Sequence, residues 1–402
     1  MTAPVPILLT FNPGSSTIKL GVFAIDADGP RRMGKGVIDL RSPPLVLRIM
    51  DGTGSAEVPL LAALTEELQD VIEETLAWLM QHFSGEGIVG VGHRVVHGGD
   101  QFAGPEIVTE AILREIKSLI PLAPLHQPQS VRLMEAIRHL RSDLPQSASF
   151  DTAFHRTQSD LVRRFALPRG LFDEGVKRYG FHGLSYKYVA AELLRVAPDK
   201  AEGRVVVAHL GSGASLCGLK AGISCDTTMS FSTLDGIPMG TRCGALDPGV
   251  LIHLIKERGM SIEAVEDMLY HRSGLLGVSG ISADSRTLMD SSAPSAAEAL
   301  DLFAFRISRE MVAMANTLGG LDAIVFTAGI GEHQHKVRAA VCHHLAWLGV
   351  RLDTAANARH ATRMEAPDSE VAVLVIPTDE EQIIAMEAYS ILQGEFAGPH
   401  PH

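Results

Sequence analysis

An α/β protein of two domains is the architecture that the sequence predicts, and three features predict it. Short apolar runs of strand length alternate along the chain with longer stretches that carry apolar residues on one helical face. The length, 402 residues, exceeds what one ordinary hydrophobic core organises. A strand, a glycine loop and a second strand near the N-terminus recur at mid-chain, where Gly14 overlays Gly211 at an offset of 197 residues, close to half the chain.

The first hairpin pairs Ile7 to Phe11 with Ile18 to Phe23 across Asn12-Pro13-Gly14-Ser15-Ser16-Thr17. A helix does not follow the loop directly, so this is not the strand-to-helix phosphate loop of nucleotide hydrolases. The second hairpin pairs Val205 to Ala208 with Ala214 to Leu219 across Gly211-Ser212-Gly213. Between residues 62 and 83, the apolar residues Leu68, Val71, Ile72, Leu76, Leu79 and Met80 form an amphipathic stripe. A longer helix is predicted from Ala297 to Leu318, stopped by Gly319-Gly320. Ala323 to Phe326 and Val371 to Ile376 read as further strands; the first leads into a glycine turn, Thr327 to Glu332, and the second into the acidic Thr378 to Glu381. Residues 284 to 296 read as a loop plus a helix start.

Composition excludes several classes of function. The net charge of -12 argues against nucleic acid and membrane surfaces, which are polyanions. An anionic substrate would need local arginines. The four cysteines, Cys217, Cys225, Cys243 and Cys342, form no C-x-x-C pair, so neither a zinc site nor a redox motif is indicated. No segment approaches the roughly 18 consecutive apolar residues of a membrane helix. Residues 1 to 11 lack a basic lead and read as a first strand and not a signal peptide. A reducing cytoplasm is the simplest location.

Several clusters carry chemistry, each with a plainer alternative. The loop with Asn12, Gly14, Ser15, Ser16, Thr17 and Lys19 offers N–H groups, hydroxyls and a cation to a phosphate; the alternative is a hydrophilic hairpin tip. Gly92 to Gly99 (GHRVVHGG) presents Arg94, whose fork suits a carboxylate or phosphate, or else a surface ion pair between core histidines. Three prolines between Pro121 and Pro128 place His126 at a rigid bend. Asp151 follows a hydrophobic run at a predicted strand end, where ligands of α/β proteins gather, and also suits a helix cap. His182 sits between two glycines beside two aromatic rings, Arg242 lies in a glycine-flanked turn, and Asp379-Glu380-Glu381 suits Mg²⁺ or simply a helix start. Collectively these parts suit phosphoryl transfer, which depends on positioning, metal neutralisation and cationic stabilisation.

The motifs resemble the acetate kinase family over nearly the whole chain. Eight blocks occur in the family's order: NPGSSTIK (Asn12 to Lys19), GHRVVHGG, PLAPLH (Pro121 to His126), FDTAFH (Phe150 to His155), RYGFHG (Arg178 to Gly183), MGTR (Met239 to Arg242), FTAGIGE (Phe326 to Glu332) and PTDEE (Pro377 to Glu381). The resemblance implies the duplicated ribonuclease-H-like fold of actin, the Hsp70 ATPase domain and sugar kinases, with a central cleft and a homodimer. Its domains would be residues 1–150 plus about 381–402, and residues 151–380, the latter carrying the nucleotide site and the dimer interface. It implies reversible transfer of a phosphoryl group from ATP to acetate, giving ADP and acetyl phosphate, with Mg²⁺ or Mn²⁺. Arg94 and Arg242 would bind the carboxylate and the phosphoryl group, His182 would stabilise the transition state with support from His126, and Asp151, Glu380 and Asn12 would serve the metal. Val96, Leu125 and Phe181 would shape the acyl pocket. Lys19, His209, Gly211, Ser212, Gly213, Asp284, Ser285, Arg286, Gly329, Ile330 and Gly331 would contact the nucleotide.

The chain departs from the family pattern at Ser212, Leu184, Tyr186, Thr233, Ser285, Gln127, His333, Cys243 and Ala245. Several of these fall in the expected acyl and nucleotide pockets, which leaves propionate or butyrate open as the acceptor and pyrophosphate as a donor. Beyond a carboxylate kinase stand a nucleotide-switched binding protein of the actin or Hsp70 kind and an ATPase without an acceptor.

Overall fold

The structure, a computed structural model, describes residues 5–14, 17–40, 44–52, 54–62, 68–83 and 87–393. The chain divides into two compact units, Met1–Phe154 with Asp379–His402, and His155–Thr378.

The first unit is built on strands β1 (Ile7–Pro13), β2 (Thr17–Asp26), β3 (Gly29–Asp39), β4 (Val46–Asp51), β5 (Gly54–Pro59), β6 (Ile88–Val95), β7 (Glu106–Ile107) and β8 (Gln146–Phe150). They lie in one sheet in the order β5-β4-β3-β2-β1-β6-β8-β7. The hairpin β1–β2 is antiparallel and pairs Asn12 with Lys19. β6 then joins β1 in parallel, and β8 joins β6 in parallel. Strands β4 and β5 were not anticipated, because half of their positions are exposed and no continuous apolar run marks them. On one face, helices Leu68–His82 and Gln127–Leu140 cover Phe11, Ile18, Leu20, Leu47 and Val91. The stripe expected on the first of these helices buries Val71, Ile72, Leu76 and Leu79, whereas Met80 is 38% exposed and lies outside it. On the other face, Ala385, Ala388 and Leu392 of helix Glu380–Leu392 pack on Leu8 and Phe23. That helix comes close because residue 92 has no side chain; a Cβ on Gly92 would stand 2.7 Å from Ile384 Cγ2.

The second unit has a sheet of β9 (Arg204–Leu210), β10 (Ala214–Lys220), β11 (Ile223–Thr227), β12 (Ala323–Thr327) and β13 (Ala372–Val375). Its order is β11-β10-β9-β12-β13. β9–β10 and β10–β11 are antiparallel, while β12 lies parallel to both β9 and β13. All five residues of β12 are buried, as a strand inside a parallel stack requires. Helix Pro294–Leu318 starts three residues before its expected first turn, packs against β9, β10 and β11, and stops where Gly319 adopts φ 75°. It buries Phe303, Ile307 and Met311, worth about 1.5–3 kcal/mol each.

Strands β3-β2-β1-β6-β8 and β11-β10-β9-β12-β13 follow the same sequence of antiparallel and parallel pairings. This is the duplicated ribonuclease-H-like α/β fold. Among the described residues no helix is long and apolar enough to cross a membrane.

Three core histidines tie this packing to pH. Burial pushes the pKa of His93, His97 and His155 down to about 4, against the opposing pull of Gln146 on His93, of Asp100 on His97 and of the Phe181 carbonyl on His155. Above pH 6.5 each ring is neutral in both folded and unfolded chains. Between pH 6.5 and about 4 the unfolded chain takes up protons that the folded chain refuses, so stability falls with pH across that window. At about 1.4 kcal/mol per pKa unit, the upper limit is on the order of 3 kcal/mol per histidine. We expect the urea midpoint to be lower at pH 5 than at pH 7.5, and His93→Gln to reduce that difference. Equal midpoints in the parent protein would count against neutral, buried rings.

Candidate active site

In the first unit the candidate residues stand at the carboxyl ends of parallel strands, where sheet backbone ends and side chains can converge on a ligand. In the first unit these ends carry Asn12 on β1, Arg94 on β6 and Asp151 just after β8. Arg94 Nη2 donates to Asp151 Oδ2 at 2.6 Å and Nε to the same oxygen at 3.1 Å. Arg94 Nη1 donates to Asn12 Oδ1 at 3.0 Å. Asn12 Nδ2 donates in turn to Glu380 Oε2 at 2.7 Å and Glu381 Oε1 at 2.8 Å. Both acids lie in the first turn of helix Glu380–Leu392, whose amino end Asp379 caps by accepting from Gln382 N at 3.1 Å. The acidic run is therefore both a helix start and part of a site. Asp151 is 0% exposed. Burial alone would lower the pKa of the Arg94 guanidinium, but Asp151, Glu380 and Glu381 together outweigh it and hold the group charged.

Asp151, Glu380, Glu381 and the Asn12 carbonyl are hard oxygen donors, and three carboxylates face one guanidinium. That set suits a divalent cation. Among the described residues no group of three or more His, Cys, Asp or Glu side chains is gathered closely enough to hold a metal by itself. A Mg²⁺ here would thus take its remaining ligands from water and substrate phosphates, as that ion commonly does.

The residues around this cluster lock the GHRVVHGG block. His93 Nε2 pairs with Gln146 Oε1 at 2.8 Å, and Gly99 N–H donates to His97 Nδ1 at 3.0 Å, so both histidines belong to the core. Gln127 accepts from His97 N–H at 3.1 Å and donates to the His97 carbonyl at 2.9 Å. Val96 is buried, Leu125 is 43% exposed and His126 is half-buried ahead of helix Gln127–Leu140. Lys19 is exposed and lines a cavity of about 510 Å³ with Lys35, Arg48 and Glu381. Ser15 and Ser16, expected in the phosphate loop, lie outside the described residues.

The second unit assembles a different group. His182 has φ 57°, a left-handed conformation that costs a non-glycine residue energy and occurs chiefly at functional positions. Its ring stacks on His209, with centroids 4.2 Å apart and planes 16° from parallel. His182 Nδ1 lies 2.8 Å from Ser215 Oγ, which also hydrogen-bonds the Tyr186 hydroxyl. His209 Nδ1 lies 2.8 Å from Ser185 Oγ, itself 2.8 Å from Thr378 Oγ1. Arg242 donates from Nη1 to the Thr233 carbonyl at 2.9 Å. Its pKa is lowered by burial, and among the described residues no carboxylate pairs with it. A methyl placed on Gly213 would lie 3.5 Å from His182 Nε2 and 3.7 Å from Arg242 Nη2, so imidazole and guanidinium converge on the Gly211-Ser212-Gly213 turn.

Beside that turn stands the end of β12, since His209 pairs with Thr327. The expected glycine turn here is the opening of a helix, Ala328–His333, with Ala328 at φ 63°. Glu332 Oε1 accepts from Ala328 N–H at 2.8 Å and Thr378 N–H at 3.2 Å, holding the turn of Gly329, Ile330 and Gly331 against the end of β13. Asp284 caps the short helix Ser285–Met289 and pairs with the exposed Arg286, while Ser285 is buried. Phe181 is buried in this unit.

Sequence reading missed Ser215, Ser185 and Gly274 as parts of these groups, and it named Glu381 only as one of three acids, without its bond to Asn12. Gly274 adopts φ 61°, and a Cβ there would stand 2.1 Å from the Met239 carbonyl oxygen and 2.7 Å from that of Arg242. Its signal was the Ser273-Gly274 dipeptide. We expect Gly274→Ala to cost roughly 2–4 kcal/mol in stability through left-handed strain and overpacking, read as a lower urea midpoint. A variant as stable as the parent would mean that the arginine turn can shift freely.

Comparison with known proteins agrees with this geometry. A profile of the Acetokinase family matches residues 7–386. The acetate kinase of Rhodopseudomonas palustris (strain ATCC BAA-98 / CGA009) is 46% identical over 393 residues, covering 96% of this chain and 99% of the relative. Among solved structures, a propionate kinase from Francisella tularensis subsp. tularensis SCHU S4 superposes with a TM-score of 0.88 at 32% identity, over 95% of this chain and 98% of that one. Porphyromonas gingivalis acetate kinase gives 0.85 at 33% identity, over 96% and 100%. The chain belongs to the acetokinase family.

Proposed function

We propose that this protein is an acetate kinase, transferring the γ-phosphoryl group of ATP reversibly and in line to the carboxylate of acetate to give ADP and acetyl phosphate. The observation that carries this reading is Arg242, a half-buried guanidinium without a carboxylate partner among the described residues, standing beside His182 at a glycine turn. A desolvated cation without a counter-ion is costly, and an anionic phosphoryl group would relieve that cost.

The remaining roles follow from the chemistry. A carboxylate is already nucleophilic at neutral pH, so no general base is required. In the first unit, Asp151 and Asn12 fix the Arg94 fork and leave its other N–H donors for the acetate carboxylate. We assign acyl recognition to Val96 and Leu125 in the first unit and to Phe181 in the second, with His126 as a supporting residue. Asp151, Glu380 and Asn12 would hold a divalent cation, Mg²⁺ or Mn²⁺, which when bound neutralises charge on the phosphates. Gly211, Ser212, Gly213, Gly329, Ile330 and Gly331 offer backbone N–H groups to the nucleotide, with His209, Lys19 and Asp284 to Arg286 as further contacts.

Incubation with MgATP and acetate, propionate or butyrate, with acyl phosphate trapped by hydroxylamine, tests the reading. We expect the largest signal with acetate, and a loss of roughly 10²-fold or more in kcat for folded Arg94→Ala and Arg242→Ala. A maximum at propionate or butyrate would keep the mechanism and change the acceptor, since one methylene in an apolar pocket is worth only about 1–3 kcal/mol. No acyl phosphate from any acid would overturn the proposal.

We also propose a homodimer. Helix Pro248–Lys256 buries none of its residues, although Val250, Ile252 and Ile255 are apolar, and nearby Leu246 and Ile262 are exposed as well. A second copy would cover this surface. Sedimentation equilibrium should give twice the chain mass for the parent protein and less for Ile252→Asp; a monomeric parent would sink the idea.

A further inference from the structure

Tyr186 has no part in the transfer as set out above, yet it is fully buried and hydrogen-bonded toward the imidazole of His182. It lies one turn after His182 on helix Gly183–Val196, and its hydroxyl meets that of Ser215 on β10. Ser215 is also fully buried, and its oxygen lies 2.8 Å from His182 Nδ1. We propose that Tyr186 is a positioning residue that acts through Ser215 to hold His182 in the tautomer presenting an Nε2–H to the Gly213 turn. The inference deepens the phosphoryl-transfer reading and rests on it.

The argument is a count of hydrogens. A serine hydroxyl has one hydrogen to give and can accept two. A phenol, with a pKa of about 10, is the more acidic of the two hydroxyls and the natural donor to Ser215. Ser215 must then send its own hydrogen elsewhere, and His182 Nδ1 is in reach. An Nδ1 that accepts carries no hydrogen, so the hydrogen of a neutral ring sits on Nε2. Nε2 is the atom that approaches the same point as Arg242 Nη2 beside Gly213. If the ring becomes protonated, Nδ1–H donates to Ser215, whose oxygen can accept, and Nε2 keeps its hydrogen. The relay thus maintains a donor on Nε2 in both charge states. Orientation is held as well, by the left-handed backbone at His182 and by the stack on His209, which Ser185 tethers.

The test uses the full chain with ATP, acetate and Mg²⁺, and ¹⁵N-histidine NMR. Tyr186→Phe keeps the ring and removes only the hydroxyl; Ser215→Ala breaks the relay at its middle and serves if the first variant fails to fold. We expect kcat to fall roughly 10-fold in each, the scale found when the partner that orients a functional imidazole is removed. KM for acetate and ATP should stay within about twofold, and the acidic limb of the kcat–pH profile should move. The His182 resonances, identified by their loss in His182→Asn, should change from the Nε2–H pattern to a mixture of tautomers. In a His182→Asn background Tyr186→Phe should add nothing. A Tyr186→Phe protein with parental kcat, pH profile and tautomer overturns the inference, as does a loss that persists undiminished in the His182→Asn background. The tautomer is read without turnover. A parent protein that forms no acyl phosphate therefore counts against the proposed function, while the NMR comparison still decides the relay.

Discussion

Parallel pairing of β6 with β1, and of β12 with β9, is the constraint that gathers the Arg94 group in the first unit and sets Thr327 beside His209 in the second. A parallel neighbour ends on the same side of the sheet as the strand it joins, so chain segments far apart in sequence finish together. In the first unit this carries Arg94 to Asn12, and β8 then delivers Asp151 beside them. In the second it carries Thr327 to His209. The antiparallel hairpins do the complementary task of turning the backbone sharply at that same side, through Gly14 and through Gly211 to Gly213. Arg242 is the exception, since it lies in the irregular stretch between β11 and helix Pro248–Lys256.

The two arginines occupy opposite electrostatic situations. Arg94 is surrounded by more negative charge than it carries, and its guanidinium is held firmly protonated. Arg242 is desolvated without a compensating acid among the described residues, and its pKa falls. The first arrangement leaves an excess of oxygen donors and invites a cation; the second leaves an excess of positive charge and invites an anion. A chain of net charge -12 handles anions by such local means, because its overall field repels them.

The hairpins and the long helix Pro294–Leu318 were legible because their signals are local: apolar runs around a glycine, and an apolar stripe ended by Gly319. The eight motif blocks likewise drew attention to Arg94, Asp151 and Glu380, which the first unit brings together, and to His182 and Arg242, which the second does. What stayed hidden depends on pairing across long separations. Glu381 meets Asn12 across 369 positions, and Ser215 reaches His182 across 33. Nothing local distinguishes Ser215 from any other small polar residue on a strand. Ala328 shows the opposite failure, since a residue with φ 63° would ordinarily be read as glycine. Met80 was misassigned because helical periodicity identifies a face but not where its edge lies.

Helix Glu380–Leu392 also sets an order of assembly. It follows the whole second unit in sequence, yet it packs on β1, β6 and β8, which precede that unit. Until it emerges, Leu8 and Phe23 lack the cover of Ala385, Ala388 and Leu392, and Asn12 lacks Glu380 and Glu381. The unit that is begun first is therefore completed last. During synthesis its nascent sheet carries an apolar face that stays uncovered until the second unit has been made, and the acidic side of the group around Arg94 forms only after that.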